Sequence, residues 1–325
     1  MKIKQTPEDF AVEEVIKLNL SQDRNNYAVF KLTKKEWESF KIITAISKAL
    51  RIKPKFIGFA GNKDKQAVTT QYVSIYQSTK EKGEKVKING AKLEFVGYAR
   101  DRINLGDLEG NNFNITIREL DKEISLPKDI QLENYFDEQR FGNKSNTHLV
   151  GKSIIKRDFK EACSLLNIKV NGNDYVGAIR TEQRRLLRFY ISSYQSYIWN
   201  KYLAQIIKEQ KDHHCIKMPF GDLLFTKNKM KNFKVPIINF DTPEDKVMNN
   251  ILNEEKLKRE DFIIKEIPEL ITEGQERNAF IEIKDIKYIW DKDELNKGKL
   301  KLNLSFFLPK GSYATMLIKK LGIFL

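Results

Sequence analysis

The chain has 325 residues, enough for two domains of ordinary size or for one large domain with an insertion. Its 58 lysines and arginines outnumber its 44 aspartates and glutamates, and the formal net charge of +14 favours a polyanionic partner without requiring one. The sequence lacks both an apolar run near the length of a membrane span and an N-terminal secretory signal, so we expect no membrane segment.

The cysteines and histidines give little support to a metal site or a disulfide. Cys163 and Cys215 are the only cysteines, which is typical of a protein in a reducing cytoplasm. His213 and His214 stand next to Cys215, but neighbouring residues seldom converge on one ion without a second group of ligands, and the remaining histidine is His148. We therefore expect a solvated loop here, no metal and a cytoplasmic location.

Apolar periodicity predicts two strands and a helix in the first 50 residues. Residues 4–15 alternate apolar and acidic side chains, which favours an edge strand, and residues 27–32 form a second strand. Thr33 and Glu36 match a capping box, so we predict a helix over residues 36–50. Its apolar positions recur at three- and four-residue spacing, at Trp37, Phe40, Ile43, Ile46 and Leu50.

The middle of the chain differs in character from its two ends. We predict strands at residues 92–99, 112–118, 279–284 and 300–308, and helices at residues 157–166 and 184–210. The long helix begins with Arg184, Arg185 and Arg188, a cluster that suits either an RNA backbone or a solvated helical face. A helical middle between β-rich ends is typical of an insertion domain.

Residues 56–74, FIGFAGNKDKQAVTTQYVS, form the most distinctive stretch of the chain. An apolar run with Gly58 and Gly61 breaks into a charged turn at residues 62–66, and an apolar run follows. This profile predicts a strand, a tight loop and a second strand. Asp64 lies in the loop, where an aspartate serves either as a turn former or as a chemical group.

The amino-acid sequence of this stretch resembles the G-x-K-D-x-x-A-x-T-x-Q signature of the TruD family of tRNA pseudouridine synthases. Every fixed position is met, by Gly61, Lys63, Asp64, Ala67, Thr69 and Gln71. Six matches over eleven residues are far more specific than a lone glycine-rich loop. In that family the aspartate of the motif is catalytic, so the resemblance assigns the catalytic role to Asp64.

Four further segments resemble motifs of the same family, in the family's order. K-x-x-P-x-D-F-x-V-E-E starts at Lys4, L-G-x-L-x-G-N-x-F-x-I covers residues 105–115, and N-Y-F-x-x-Q-R-F-G covers residues 134–142. L-P-x-G-S-[FY]-A-T covers residues 308–315, with tyrosine at Tyr313 where the family often has phenylalanine. The resemblance therefore spans nearly the whole chain.

The resemblance implies an α+β fold. A catalytic pseudouridine synthase domain, with a mixed or antiparallel sheet and flanking helices, would comprise residues 1–147 and 275–325. A mainly helical insertion domain would comprise residues 148–274. The implied activity is isomerisation of a uridine in tRNA, at position 13 of the D arm in bacterial members, and the compact length suits that bacterial type. We expect a monomer.

Pseudouridine formation requires a carboxylate and no cofactor. The reaction breaks the N-glycosidic bond, rotates the uracil and joins its C5 to the same sugar carbon, without a redox step or phosphate transfer. Asp64 would act close to the glycosidic carbon, as nucleophile at the sugar, as nucleophile at the pyrimidine, or as base at C2′. A nearby cation favours an ionised carboxylate. Lys63 is adjacent, but side chains of adjacent residues in extended chain point to opposite faces, so Lys4 is the expected partner.

The target uridine must leave its stack and be held between flat surfaces. By resemblance, Phe10, Phe136 and Tyr313 would surround the target base, and Asn134 would hydrogen-bond the edge of the uracil. Arg140 lies among the aromatic residues of the 134–142 segment, which suits a phosphate contact beside a stacked base. On composition alone, the same segment is also typical of a core.

Two other functions fit parts of the sequence. A catalytically silent RNA-binding or RNA-folding protein on the same scaffold would share the basic charge, but it would not need the Asp64 motif. A nucleotide-binding enzyme could use Gly58, Gly61 and Lys63, but this spacing is too short for a P-loop and lacks the Lys-[Ser/Thr] ending.

Overall fold

The computed structural model describes residues 1–142, 144–271 and 274–323. The strands, in chain order, are β1 (Lys2–Ile3), β2 (Phe10–Val15), β3 (Tyr27–Lys35), β4 (Ile57–Phe59), β5 (Val68–Tyr76), β6 (Ala91–Ala99), β7 (Gly110–Leu120), β8 (Ile130–Glu133), β9 (His213–Met218), β10 (Gly221–Thr226), β11 (Lys234–Ile237), β12 (Gln275–Asn278), β13 (Phe280–Ile283), β14 (Lys287–Lys292) and β15 (Leu300–Pro309). The helices are α1 (Ser39–Ala49), α2 (Lys80–Glu84), α3 (Thr147–Ile155), α4 (Phe159–Leu166), α5 (Tyr175–Arg180), α6 (Arg184–Lys208), α7 (Lys246–Glu255) and α8 (Ala314–Leu321).

The contacts of the chain divide it into two compact units. The first contains residues 1–130 and 283–314, and the second contains residues 131–282 and 315–323. The boundaries of the catalytic domain, residues 1–147 and 275–325, and of the insertion domain, residues 148–274, stay a prediction. None of the described helices is both long and apolar enough to cross a membrane.

A mixed nine-stranded sheet forms the frame of the first unit. Its strand order is β14-β15-β7-β2-β5-β3-β6, with β1 added to β7 and β4 added to β5. The β2 and β5 pair is parallel, with Val12 opposite Thr69, whereas β3 and β5 pair antiparallel over their full length. The mixed α/β character and the mixed sheet agree with the predicted fold class.

Strand β2 lies inside this sheet, between β7 and β5. The prediction of an edge strand over residues 4–15 is therefore wrong. Only residues 10–15 of that stretch form a strand, and Pro7–Asp9 make a short 3₁₀ turn. Alternation along a strand shows which side chains face the core. The strands that pair with it come from distant parts of the sequence, so alternation does not show whether it lies at an edge.

Helix α1 covers the core of the first unit, but it begins later than the capping-box pattern predicts. Thr33 belongs to β3, where it lies opposite Thr70. Glu36 has a φ of +60°, a left-handed value that does not occur within a right-handed α-helix. The helix buries Ile42, Ile43 and Ile46. Phe40 of the predicted apolar stripe is 44% exposed instead.

The second unit combines helices with three two-stranded sheets, β9–β10, β11–β12 and β8–β13. Its longest helix, α6, has 25 residues and buries Leu187, Trp199 and Leu203. The predicted solvated loop at residues 213–215 is wrong, because β9 and β10 form a hairpin there with His214 opposite Phe225. Among the described residues, no three His, Cys, Asp or Glu side chains are grouped in a way that could hold a metal ion.

Candidate active site

Asp64 lies in the loop of residues 60–67 that joins β4 to β5, which we call the Asp64 loop. The two strands pair antiparallel, with Gly58 opposite Ser74, so the predicted strand, loop and strand are present. Gly58 fixes the start of the loop, because a Cβ there would lie 2.3 Å from the carbonyl oxygen of Ile103. The sheet therefore presents Asp64 at a defined place.

Lys4 forms the predicted ion pair with Asp64. Its Nζ lies 2.9 Å from Oδ2 of Asp64, and the two side chains are 19% and 30% exposed. The same Nζ lies 4.2 Å from the centroid of the Phe10 ring. Lys4 adopts a φ of +56°, a left-handed conformation that costs about 1 kcal/mol or more for a non-glycine residue. The structure thus brings Lys4, Phe10 and Asp64 together.

Lys63 points away from Asp64, as the alternation of an extended chain predicts. Its Nζ forms an ion pair with Oε2 of Glu14 at 3.1 Å and donates a hydrogen bond to Asn111. Burial lowers the pKa of Lys63, and the charge of Glu14 opposes that effect. Lys63 therefore anchors the Asp64 loop to the sheet.

Lys34 lies beneath the Asp64 loop, and sequence reasoning did not identify it. Its side chain is buried, and its ammonium donates to the carbonyl oxygens of Trp37 at 2.5 Å and Asp64 at 3.3 Å. Burial lowers its pKa to about 8, although the charge of Asp64 acts in the opposite direction. One signal in the sequence could have found it, since Lys34 continues the inward-facing register of the preceding apolar residues at alternate positions of β3.

A buried arginine orders the segment that carries Lys4. Asp9 accepts a hydrogen bond from the backbone N–H of Thr6 at 3.0 Å and forms an ion pair with Arg118 at 2.8 Å. Arg118 also contacts Asp293 at 2.8 Å and Glu294 at 3.0 Å. The hydrogen bonds of these carboxylates raise the pKa of Arg118 further above its ordinary value. The network therefore holds residues 4–9 against β7 and the chain around Asp293.

The predicted site residues of the second unit surround an arginine that sequence reasoning missed. Arg277 lies 4.2 Å over the Phe136 ring and donates to the carbonyl oxygen and Oδ1 of Asn134, at 2.8 and 2.5 Å. Nδ2 of Asn134 donates to the carbonyl oxygen of Asn278 at 3.0 Å. No local pattern pointed to Arg277, because 143 residues separate it from Asn134.

Arg140 joins the same cluster through its aromatic contacts. Its guanidinium lies 5.5 Å over the Phe136 ring, and its Nε donates to Oγ of Ser196 at 3.0 Å. Tyr135 and Phe141 of the same segment are fully buried and pack in the core. Phe136 is also buried, at 6% exposure.

The remaining candidates lie at the end of a strand and at the start of a helix. Tyr313 belongs to the first unit, and it is half-buried in the turn that follows β15. Arg184 and Arg185 begin α6 on exposed positions. Arg188 donates to the carbonyl oxygen of Glu269 at 3.1 Å, so part of the basic cluster is held by the protein's own backbone.

The comparisons with known proteins that follow all name the same family. The model of tRNA pseudouridine synthase D (TruD) matches residues 1–171, 164–244 and 236–321. A relative from Methanocaldococcus jannaschii, described as probable tRNA pseudouridine synthase D 2, is 33% identical over 98% of this chain and 91% of its own length. The tRNA pseudouridine synthase D of Aquifex aeolicus is 28% identical over 99% of this chain and 98% of its own.

A crystal structure described as TruD from Methanosarcina mazei has the same fold. It superposes with a TM-score of 0.72 at 26% identity, over 97% of this chain and 92% of its own. Fold, sequence and the Asp64 motif together define an enzyme that isomerises uridine in tRNA. The chain belongs to the TruD family of tRNA pseudouridine synthases.

Proposed function

We propose that this protein converts a single uridine, at position 13 in the D arm of tRNA, into pseudouridine, and that the Asp64 carboxylate performs the reaction. The observation that carries the proposal is the ion pair between Lys4 and Asp64 at 2.9 Å. It joins the first motif of the chain to the aspartate of the central motif, 60 residues away. A partly exposed carboxylate that pairs with Lys4 is a suitable group for chemistry on a bound nucleotide.

Asp64 acts on the glycosidic bond of a uridine that has left its stack. Its carboxylate attacks the sugar, attacks the pyrimidine, or removes the proton from C2′, and each route needs an anionic oxygen near the glycosidic carbon. Lys4 holds that oxygen in place. The isomerisation transfers no electrons and no phosphate, so we expect it to proceed without a cofactor or a metal.

From the family resemblance, we propose that Phe10, Phe136 and Tyr313 each contact the target base. The ammonium group of Lys4 lies over the ring of Phe10. Phe136 lies under the guanidinium of Arg277, so we assign Arg277 and Arg140 to the same RNA-facing group. Planar guanidinium groups bind phosphate and also stack on bases. Asn134 is the proposed partner of the uracil edge.

The setting of the enzyme follows from the same proposal. We expect a cytoplasmic monomer in which a helical domain, residues 148–274, interrupts the catalytic domain. A catalytically silent RNA-binding protein is the alternative function. The Lys4–Asp64 pair disfavours it, because RNA binding alone gains nothing from a carboxylate presented at this place.

The test uses unmodified tRNA transcripts and maps pseudouridine at single-nucleotide resolution by carbodiimide labelling. We expect one modified uridine, in the D arm, and no product on a transcript whose position 13 is cytidine. Modification at another uridine would overturn the assignment of position 13 and keep the enzyme class. Tight binding without any pseudouridine would favour the silent RNA-binding protein.

A further inference from the structure

We infer that Lys34 is a positioning residue for the isomerisation, because its buried ammonium fixes the backbone of Asp64 from beneath the Asp64 loop. The inference rests on the proposed catalytic role of Asp64. It assigns a function to a side chain that is 1% exposed and that a substrate cannot touch.

The backbone around Asp64 is held on both sides of its Cα. On one side, the N–H of Lys63 donates to Oγ of Ser39 at 2.8 Å, at the first turn of α1. On the other side, Lys34 donates to the carbonyl oxygen of Asp64 at 3.3 Å and to that of Trp37 at 2.5 Å. Since Lys4 holds the carboxylate itself, the position of Asp64 is defined at three points.

The stability of the sheet does not explain why Lys34 carries a buried charge. Its hydrogen-bond partners in the described chain are two neutral carbonyl groups, and hydrogen bonds to such groups offset only part of the cost of burying an ammonium. The inward positions before it on β3 are Ala28, Phe30 and Leu32. An apolar residue of similar volume would continue that pattern, so we assign the charge of Lys34 to the loop that it contacts.

The surroundings of Lys34 make its charge sensitive to alkaline pH. The charged groups that act on it are Asp64 and Lys63, both from the Asp64 loop, while Lys4 and Glu14 lie one contact further away. With its pKa lowered to about 8 by burial, Lys34 is mostly charged at neutral pH and loses its proton as the pH rises through that value. The hold on Asp64 should weaken over the same range.

The first arm of the test compares Lys34→Met with Lys31→Met. Lys31 lies on the same strand but on the opposite face, where it pairs with the exposed Glu13 at 2.7 Å. We expect Lys34→Met to remain folded, to bind tRNA within about threefold of the unaltered protein, and to lose kcat by about 100-fold, because misplacing a catalytic group by 1 Å has about that effect. Lys31→Met should keep kcat.

The second arm records kcat between about pH 7 and about pH 9.5 for the unaltered protein and for Lys34→Arg. Arginine stays charged throughout this range. The unaltered protein should lose activity above about pH 8, and Lys34→Arg should lose none there. This arm decides the matter even if Lys34→Met does not fold, and it also excludes ionisation of the uridine as the cause of an alkaline loss.

The outcomes separate this inference from the proposed function. If Asp64→Asn is inactive while Lys34→Met keeps the full kcat, Lys34 has no positioning role and the role of Asp64 stands. An alkaline loss that is the same in Lys34→Arg would also overturn the inference. If Asp64→Asn remains active, the proposed function itself fails, whatever Lys34→Met does.

Discussion

Gly58 lies in β4 and Gly61 lies three residues later, in the Asp64 loop, and the two glycines have different surroundings. A Cβ at Gly58 would lie 2.3 Å from the carbonyl oxygen of Ile103 and 2.6 Å from Oγ of Ser74. At Gly61 the nearest atom of the described chain is Cδ2 of Leu108, at 3.8 Å, an ordinary contact. The fold itself therefore requires only the first glycine.

We expect Gly58→Ala to lower the free energy of unfolding by about 1–3 kcal/mol, because a backbone oxygen cannot move aside easily. Gly61→Ala should change it by less than about 0.5 kcal/mol. Gly61→Ala should nonetheless lower kcat/KM, since a glycine beside Asp64 allows the backbone of an RNA to approach closely. Thermal melts and a pseudouridine assay on the two variants measure both effects, and equal destabilisation would contradict this account.

At the residue scale, the sequence predicted a contact where both residues belong to recognisable family motifs. The Lys4–Asp64 pair was predicted because each residue belongs to a family motif, and its contact is present. Arg277 was missed, since it lies 143 positions after Asn134 and their contact depends on the path of the chain between them. Lys34 was missed because a lysine on a strand is usually solvated, and only its register pointed inward.

At the scale of elements, a buried carboxylate ties three helices of the second unit together. Glu255, at the end of α7, accepts hydrogen bonds from Lys152 of α3 at 2.6 Å and from Lys201 of α6 at 2.8 Å. Tyr194 of α6 donates to it at 3.1 Å. Burial opposes its ionisation, but the hydrogen bonds from the two lysines prevail and lower its pKa to about 2.

This lowered pKa predicts a pH dependence of stability. Because the carboxylate is more acidic in the folded than in the unfolded protein, its contribution is present above about pH 4.5 and is lost as the pH falls towards 2. Glu255→Gln should lower the free energy of unfolding by about 3 kcal/mol at pH 7. The difference from the unaltered protein should shrink between pH 4.5 and pH 2 in chemical denaturation.

Glu254→Gln is the matched control. Glu254 also pairs with Lys201, at 3.1 Å, but it is 55% exposed, and an exposed pair contributes less than about 1 kcal/mol. Its removal should therefore be nearly neutral at every pH. A similar loss in both variants would mean that helix charge, and not the buried network, controls stability.

Local sequence patterns predict where a strand begins and ends better than they predict which strands it pairs with. Alternation located β3, β6, β7 and β15 to within three residues at each end, because facing the core is a property of each strand by itself. The interior place of β2 could not be predicted, since it depends on pairing with β7, about a hundred residues away. The β9–β10 hairpin was missed because its histidines and lysines hide the alternation.

At the scale of the whole molecule, the net charge of +14 predicts that tRNA affinity depends strongly on salt. Replacing Arg184, Arg185 and Arg188 by alanine should weaken binding and flatten the plot of log K against log salt concentration. Each phosphate contact that is lost should reduce the slope by roughly 0.7–0.9. Filter binding at several salt concentrations measures the slope.

The control for this experiment removes the same charge from elsewhere. Lys17, Lys92 and Lys299 each pair with an acidic side chain on the surface of the first unit, and their triple alanine variant should keep the slope. Equal flattening in both variants would show that overall charge, and not the start of α6, determines binding. An unchanged slope in the arginine variant would assign that cluster to a solvated helical face.

We propose that the Asp64 carboxylate performs the isomerisation, and the variant Asp64→Asn tests this role most directly. Asparagine has nearly the same size and turn preference as aspartate, so the fold should persist. It cannot act as an anionic nucleophile or base, whereas phosphate contacts elsewhere should keep tRNA affinity within about tenfold. We predict a folded variant that binds tRNA and forms no pseudouridine. Substantial pseudouridine formation by a folded Asp64→Asn would contradict the account.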